Sequence, residues 1–358
     1  MLPIIRLEGS PFEQGLTHGT KLKDRIAHNL EVYFERFTTE GNISEPEVLN
    51  RAGQYLSVIE SECPNYFESL RGVSEGSGFD IDRLAALNVR YEILYHQFTQ
   101  YAMTDGCTAF AIAPERSANG NTWIGENWDW IPEVKGALLH ISEGDTEIAC
   151  FTEAGIVGGK IGINSHGLGL AINGMISTDD NWAHLQVPFH VRCYEILRQC
   201  DVASARAVIS ERMRSCSANY LIAHANGEIV NIESAPTRTR ELLPEDGFVA
   251  HTNHFVDADE LGITEPPSEK RPYSVSRLAR SNELLTGDDS ISQEFIRAVL
   301  ADQQGFPYSI CRHTDVEDPI RGHYQTVTSV MMDLNERAIW ITDGPPDESD
   351  YREFRLSN

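Results

Sequence analysis

The periodicity of apolar residues changes at Cys107, and that change limits this chain to folds in which a helical block is joined to a larger body of sheet. Before it, Ser10-Pro11-Phe12-Glu13 sets an N-cap serine, a proline at the first helical position and a glutamate three residues after the cap, which together start a helix. Leu16, Leu22, Ile26, Leu30 and Phe34 then recur at near-helical spacing. Two further helices are predicted over 45–70 and 80–100, the second with Leu84, Leu87, Tyr91 and Leu94 on one face.

After Cys107 the period shortens to that of strands. Residues 108–113 and 122–130 read as strands around the turn signal Ser117-Ala118-Asn119-Gly120-Asn121, and 138–142, 148–152 and 168–173 follow. Helices at 188–200 and 202–214 interrupt them. A hairpin at 220–225 and 228–232, turning at Asn226-Gly227, resumes the sheet. Helices over 274–285 and 293–301 precede a last hairpin at 326–332 and 337–341. Strand blocks alternating with helix pairs, without regular βαβ units, point to antiparallel sheets covered by helices, an α+β architecture. The best long exposed loop is 262–271, which contains Pro266-Pro267.

With 41% hydrophobic and 23% charged residues, a 358-residue chain can bury a substantial core in one large or two smaller domains. A formal net charge of −25 repels phosphate backbones and anionic membranes, so neither nucleic acid nor membrane is an expected partner. The same excess keeps a surface solvated, or steers amine-bearing molecules toward it. No stretch approaches the ~20 apolar residues of a membrane span, and residues 1–15 lack the basic start and apolar middle of a secretory signal. A cytoplasmic setting is expected. Seven cysteines at irregular spacing, with no CxxC pair, suit free thiols in a reducing compartment.

Asp105-Gly106-Cys107-Thr108 sits at the seam. A Gly-Cys pair opening a strand can be purely structural. If the chain cuts itself between Gly106 and Cys107, however, the new terminus carries a thiol nucleophile and an amine able to take its proton. Reference pKa values of ~7.7–8.0 for the amine and ~8.5 for the thiol let them exchange a proton without a histidine base. Gly72-Val73-Ser74-Glu75-Gly76 fits the serine-hydrolase pattern G-x-S-x-G, which needs a strand before it. A helix precedes it here, so it is read as a helix-ending loop and Ser74 is set aside.

Further segments follow the Gly-Cys pair in order: Gly125-Glu126-Asn127-Trp128-Asp129, Phe151-Thr152-Glu153-Ala154-Gly155, His251-Thr252-Asn253-His254 and Phe306-Pro307-Tyr308-Ser309-Ile310-Cys311-Arg312. Upstream stand Gly9-Ser10-Pro11-Phe12-Glu13 with Gly15 and His18-Gly19, and Leu87-Asn88 with Arg90 and Glu92. This order resembles the acyl-coenzyme A:6-aminopenicillanic acid acyltransferases (isopenicillin N acyltransferases), a peptidase family of N-terminal nucleophile hydrolases, nearly end to end. The resemblance implies a four-layer αββα sandwich. It also implies self-cleavage of a zymogen into a helical 1–106 chain and a 107–358 catalytic chain that stay together as a heterodimer, and acyl transfer or amide hydrolysis on small molecules. One departure is the ending Arg355-Leu356-Ser357-Asn358, which lacks the peroxisomal tripeptide of the fungal penicillin enzymes and weakens a penicillin as the expected substrate.

The resemblance gives Cys107 as nucleophile, Asp129 as the group that positions its amine, Asn253 as donor to the tetrahedral oxyanion and Arg312 as a fixed cation near the nucleophile that holds Cys107 as thiolate or orients Asp129. Read alone, Asp129 also fits a turn or surface aspartate. His251 and His254 also fit a zinc site, which would need a helix and a third ligand. Trp128 and Trp130 fit an acyl pocket or the core, and Cys311 the core. Glu153 takes no catalytic role. No cofactor or metal is expected. An acyl donor, with coenzyme A thioesters among the candidates, and an amine or water as acceptor are the expected partners. The acidic balance favours amides of small amines such as β-alanyl compounds. An unprocessed homologue that binds a small acyl compound without turnover is the rival from another class.

Overall fold

Two stacked sheets lie between two helical layers. The computed structural model describes residues 2–101, 106–267, 271–287, 290–317 and 323–357, and the side chains of 96–101 are not considered. Asp105 of the Asp-Gly-Cys motif lies outside these residues. In chain order the elements are β1 (Ile4–Leu7), α1 (Pro11–Lys21), α2 (Lys23–Thr39), α3 (Glu45–Glu62), α4 (Pro64–Ser77), α5 (Ile81–Asn88) and α6 (Arg90–Tyr101). Next come β2 (Thr108–Ile112), β3 (Trp123–Trp130), β4 (Gly136–Glu143), β5 (Thr146–Glu153), β6 (Ile161–Asn164), β7 (Leu168–Gly174), α7 (Phe189–Ile196) and α8 (Val202–Ser210). The remainder is β8 (Ala218–His224), β9 (Ile229–Ser234), β10 (Thr239–Leu242), β11 (Phe248–His251), α9 (Ala258–Leu261), α10 (Arg271–Thr286), α11 (Gln293–Leu300), β12 (Gln325–Asp333), β13 (Ala338–Ile341) and β14 (Arg352–Arg355).

One sheet runs β1-β4-β5-β6-β7-β8-β9-β10 and the other β11-β2-β3-β12-β13-β14. Every pairing between these strands is antiparallel except β1 with β4, where Ile4 faces Leu138 and Leu7 faces Ile141. Period-two alternation sorts the six-stranded sheet. Ala109, Ala111, Ile124, Val330 and Met332 pack toward the other sheet, while Phe110, Ile112, Trp123 and Met331 pack outward on Leu285, Ile296 and Val299 of α10 and α11. The expected αββα arrangement is the one the chain adopts. No described helix is long and apolar enough to cross a membrane.

The first third departs from the expected helices in three ways. It contributes a strand, β1, to the eight-stranded sheet. The predicted 45–70 helix breaks at Cys63-Pro64, because proline has no amide to give and pushes the residue before it out of helical geometry, so Cys63 sits at φ −140°. The predicted 80–100 helix breaks at Val89. The Ser10 capping box forms as expected, with Glu13 on the Ser10 backbone amide at 2.7 Å.

Gly72-Val73-Ser74-Glu75-Gly76 is not a loop but the body of α4. A Cβ on Gly72 would strike the Phe12 carbonyl oxygen, one on Gly76 the Leu16 oxygen, one on Gly15 the Ser69 oxygen and one on Gly19 the Val73 oxygen. The four glycines let α1 and α4 touch backbone to backbone. Ser74 Oγ donates to the Phe79 carbonyl at 2.7 Å, and the helix ends at Gly78 in the left-handed region.

The upstream segments of the resemblance fasten this helical third to the sheet. His18 Nε2 accepts from the Gly155 amide at 3.0 Å, which requires a neutral ring, and burial pushes its pKa down to about 4. Asn88 donates to the Leu84 and Gly155 carbonyls at 2.8 Å each and accepts from the Val157 amide and the Tyr66 hydroxyl. Glu153 receives Arg90, Lys160 and the Tyr33 hydroxyl, all buried. Burial would raise the Glu153 pKa, but the two cations win and hold it well below the usual carboxylate range.

Two outcomes follow for stability. Gly72→Ala should lose about 1–3 kcal/mol by overpacking, seen as a lower denaturant midpoint at unchanged slope, while Ser74→Ala should leave activity intact. Glu153→Gln should cost roughly 3–5 kcal/mol, because Arg90 and Lys160 would stay buried with their counter-charge removed. Since the folded pKa of Glu153 is depressed, its contribution is whole at neutral pH and disappears only as pH falls below the ordinary carboxylate range. The mutant should therefore approach wild type in strong acid, in melts run across pH.

Candidate active site

Cys107 directly precedes β2, with its side chain fully buried. Thr108 pairs with Asn127, which sets Cys107 beside Trp128 on the inter-sheet side and turns Thr108 toward α10. The thiol lies 3.7 Å from the Asp129 carbonyl oxygen. The cation on the sulfur's side of the strand is Lys160, whose ammonium lies 3.3 Å from the Trp128 ring centroid and interacts electrostatically with Cys107. Burial pushes the Lys160 pKa down to about 8 against the pull of Glu153.

Gly106 occupies the opposite side, where bulk is excluded. A Cβ on it would run into the Arg312 guanidinium and come within 2.7 Å of Asp129 Oδ2. Glycine is the residue type this approach allows. Asp129 Oδ1 accepts from Thr326 Oγ1 at 2.7 Å, and Thr326 Oγ1 accepts from the Arg312 amide at 3.0 Å. Arg312 itself lies between the Tyr308 and Tyr324 rings, 5.4 and 5.5 Å from their centroids.

Arg277 of α10 joins the remaining groups. Its Nη1 donates to the Gly106 carbonyl, to the Cys107 carbonyl at 2.8 Å and to Thr108 Oγ1 at 3.1 Å, and its Nη2 donates to Asn253 Oδ1 at 3.0 Å. Asn253 is fixed a second time through Nδ2 to the Gly174 carbonyl at 3.0 Å and a third through its backbone amide to Ser274 Oγ at 2.8 Å. An amide nitrogen carries two hydrogens, so Nδ2 can serve a second acceptor.

The four residues expected from sequence thus surround one peptide unit, Asp129 and Arg312 directly and Asn253 through Arg277. Sequence reading missed Arg277, Lys160 and Thr326. Arg312 was expected to serve either the sulfur or Asp129, and its contacts are on the Gly106 and Asp129 side. Trp128 and Trp130 are packed in the interior against Phe151, Lys160, Tyr324 and the Tyr33 hydroxyl. His251 ends a strand, not a helix, and bonds Glu233 at 2.9 Å, while His254 bonds Ser274 Oγ at 2.8 Å. Thr252 lies between the two rings, its carbonyl oxygen 2.8 Å from His251 Nδ1 and its hydroxyl 3.2 Å from His254 Nδ1. Asn127 is structural: its Nδ2 donates to the Leu300 and Ile310 carbonyls at 2.8 Å each.

Among curated proteins, the 40 kDa form of acyl-coenzyme A:6-aminopenicillanic-acid-acyltransferase from Emericella nidulans is 26% identical over 361 residues, covering 97% of this chain and 94% of its own. Similar solved structures include a variant of conjugated bile acid hydrolase from Clostridium perfringens (TM-score 0.46, 12% identity, 70% of this chain and 97% of that one). Others are the Caenorhabditis elegans orthologue of N-acylethanolamine-hydrolyzing acid amidase (0.43, 15%, 70% and 100%) and penicillin V acylase from Agrobacterium tumefaciens (0.44, 11%, 66% and 83%). The family described as acyl-coenzyme A:6-aminopenicillanic acid acyl-transferase matches residues 116–348, a stretch that holds Asp129, Asn253 and Arg312. This chain belongs to that acyl-transferase family and is an enzyme of acyl transfer.

Proposed function

We propose that the chain cuts itself between Gly106 and Cys107 and then works as an N-terminal cysteine nucleophile enzyme on small acyl compounds. The observation that carries this reading is Arg277, a buried guanidinium donating to the one carbonyl, that of Gly106, which the Cys107 thiol would attack. In the cut, the sulfur bonds to the Gly106 carbonyl carbon and the C–N bond breaks. The thiol proton ends on the departing nitrogen, and water hydrolyses the thioester to a Gly106 carboxylate and a restored thiol. Arg277 stabilises the oxyanion of this step.

In turnover the liberated amine takes the thiol proton, and Asp129, held by Thr326, orients that amine. Arg312 sits beside Asp129 as its counter-charge. Asn253 Nδ2 supplies the oxyanion donor to a substrate amide or thioester. The acyl group on Cys107 then leaves to water or to an amine. No resident cofactor enters this scheme, and a coenzyme A thioester, where used, enters as substrate. The two pieces stay together as a heterodimer in the cytoplasm. A second reading narrows the substrate to amides of small amines, β-alanyl conjugates among them, and is favoured by the net charge of −25, which repels an anionic thioester and attracts an amine.

Denaturing electrophoresis tests the cut. Wild type should run as pieces of roughly 12 and 28 kDa from a 40.0 kDa chain, and Cys107→Ala should stay whole. Arg277→Met should slow cutting by about 10²–10³, with partial recovery in Arg277→Lys; undiminished cutting in Arg277→Met removes it from the mechanism. Asn253→Ala should lower kcat far more than it raises KM on a panel of acyl-amine and acyl-thioester substrates, and a change confined to KM reassigns Asn253 to binding.

A further inference from the structure

Cys311 and His313 flank Arg312, and both reach the carboxylate of Asp347. The Cys311 sulfur lies 3.0 Å from Asp347 Oδ1 and 3.7 Å from His313 Nε2, and His313 Nε2 lies 3.0 Å from Asp347 Oδ2. Among the described residues this is the one group of three His, Cys, Asp or Glu side chains whose ligand atoms converge to within 4.8 Å. Tetrahedral zinc, with bonds of ~2.0–2.3 Å, spaces its ligand atoms about 3.3–3.8 Å apart. The sulfur–nitrogen edge already has that length, and one oxygen of the carboxylate lies within 4.8 Å of both the sulfur and a ring nitrogen.

The surroundings are built as well. The Cys311 amide donates to the Asp302 carbonyl at 2.9 Å and the His313 amide to the Pro307 carbonyl at 3.0 Å, so the backbone of both ligands is held by the preceding loop. Asp302 is anchored in turn by Arg280 at 2.7 Å. Gln303 Nε2 donates to Asp347 Oδ2 and orients the carboxylate. Glu348 lies 4.0 Å from His313 Nδ1, beyond hydrogen-bond reach, and adds negative charge beside the ring. The side chains of His313 and Asp347 are 15% and 18% exposed and Asp347 stands on the surface, so an ion can reach the group from solvent.

We propose that Cys311, His313 and Asp347 bind one divalent transition ion of the zinc class, with a fourth position open to water. A thiolate, an imidazole and a carboxylate make a borderline-soft donor set, which selects such an ion over magnesium or calcium. Binding replaces the thiol proton with the metal and releases that proton to solvent. The ion ties the segment on both sides of Arg312 to the turn at Asp347, and so holds the arginine beside Gly106 and Asp129. The site stands whether or not the chain cuts itself.

Cobalt(II) added to the metal-free protein tests this, because thiolate ligation gives a charge-transfer absorption. One equivalent should produce the band, zinc should abolish it, and both Cys311→Ser and His313→Ala should lack it. Zinc affinity, measured against a chromophoric chelator, should fall roughly 100-fold in His313→Ala and in Asp347→Asn. Circular dichroism checks folding, and if Cys311→Ser does not fold, the partly exposed His313 and Asp347 variants decide. No band in wild type, or a band that survives in folded His313→Ala, overturns the proposal.

Discussion

A single buried carboxylate, Glu153, carries the electrostatic load between the helical third and the sandwich. Arg90 arrives from α6 and Lys160 from the residue before β6, and each would cost several kcal/mol to desolvate alone. Glu153 at the end of β5 receives both, with the Tyr33 hydroxyl of α2 closing the set. Two cations on one anion leave net positive charge in a dry place. That charge lies over the Trp128 face and within reach of the Cys107 sulfur, so one cluster both fastens the first third to the sheet and sets the field at the thiol.

Strand alternation then divides the site in two. The sulfur of Cys107 looks into the inter-sheet space with Trp128 and Lys160. The peptide that precedes it looks the other way, toward Asp129, Arg312, Arg277 and Asn253. In the proposed cut, the nucleophile and the groups that polarise its neighbouring carbonyl would therefore act from opposite faces of one strand. No side chain needs to occupy the same space as another.

The parts of this arrangement that were legible in the sequence are those with a local signal. The hairpins β2–β3, β8–β9 and β12–β13 carry alternation and turn residues, and the Ser10 cap carries its own box. Cys107, Asp129, Asn253 and Arg312 were legible through segment resemblance and not through pattern. What stayed hidden depends on distant partners. The residues of β1 form a strand because β4 lies beside them, and Arg277 is one of three arginines on α10, set apart only by the carbonyl it meets. Lys160 follows two glycines in a stretch with no recognisable motif. Gly72 and Gly76 misled in the other direction, since the letters of a catalytic elbow are also those of a close helix crossing, and only a facing pair of glycines on α1 separates the two.

The pairing of β1 with β4 has a consequence for how such a molecule comes apart. Residues 4–7 hydrogen-bond to residues 138–141, on the far side of the Gly106–Cys107 bond. With that bond closed, the partners are tethered and denaturation is a unimolecular event that reverses at any dilution. With it open, the same ladder joins two polypeptides, so recovery from the denatured state becomes a second-order encounter that dilution penalises. A severed molecule would then persist through the height of its unfolding barrier rather than through reversible equilibrium.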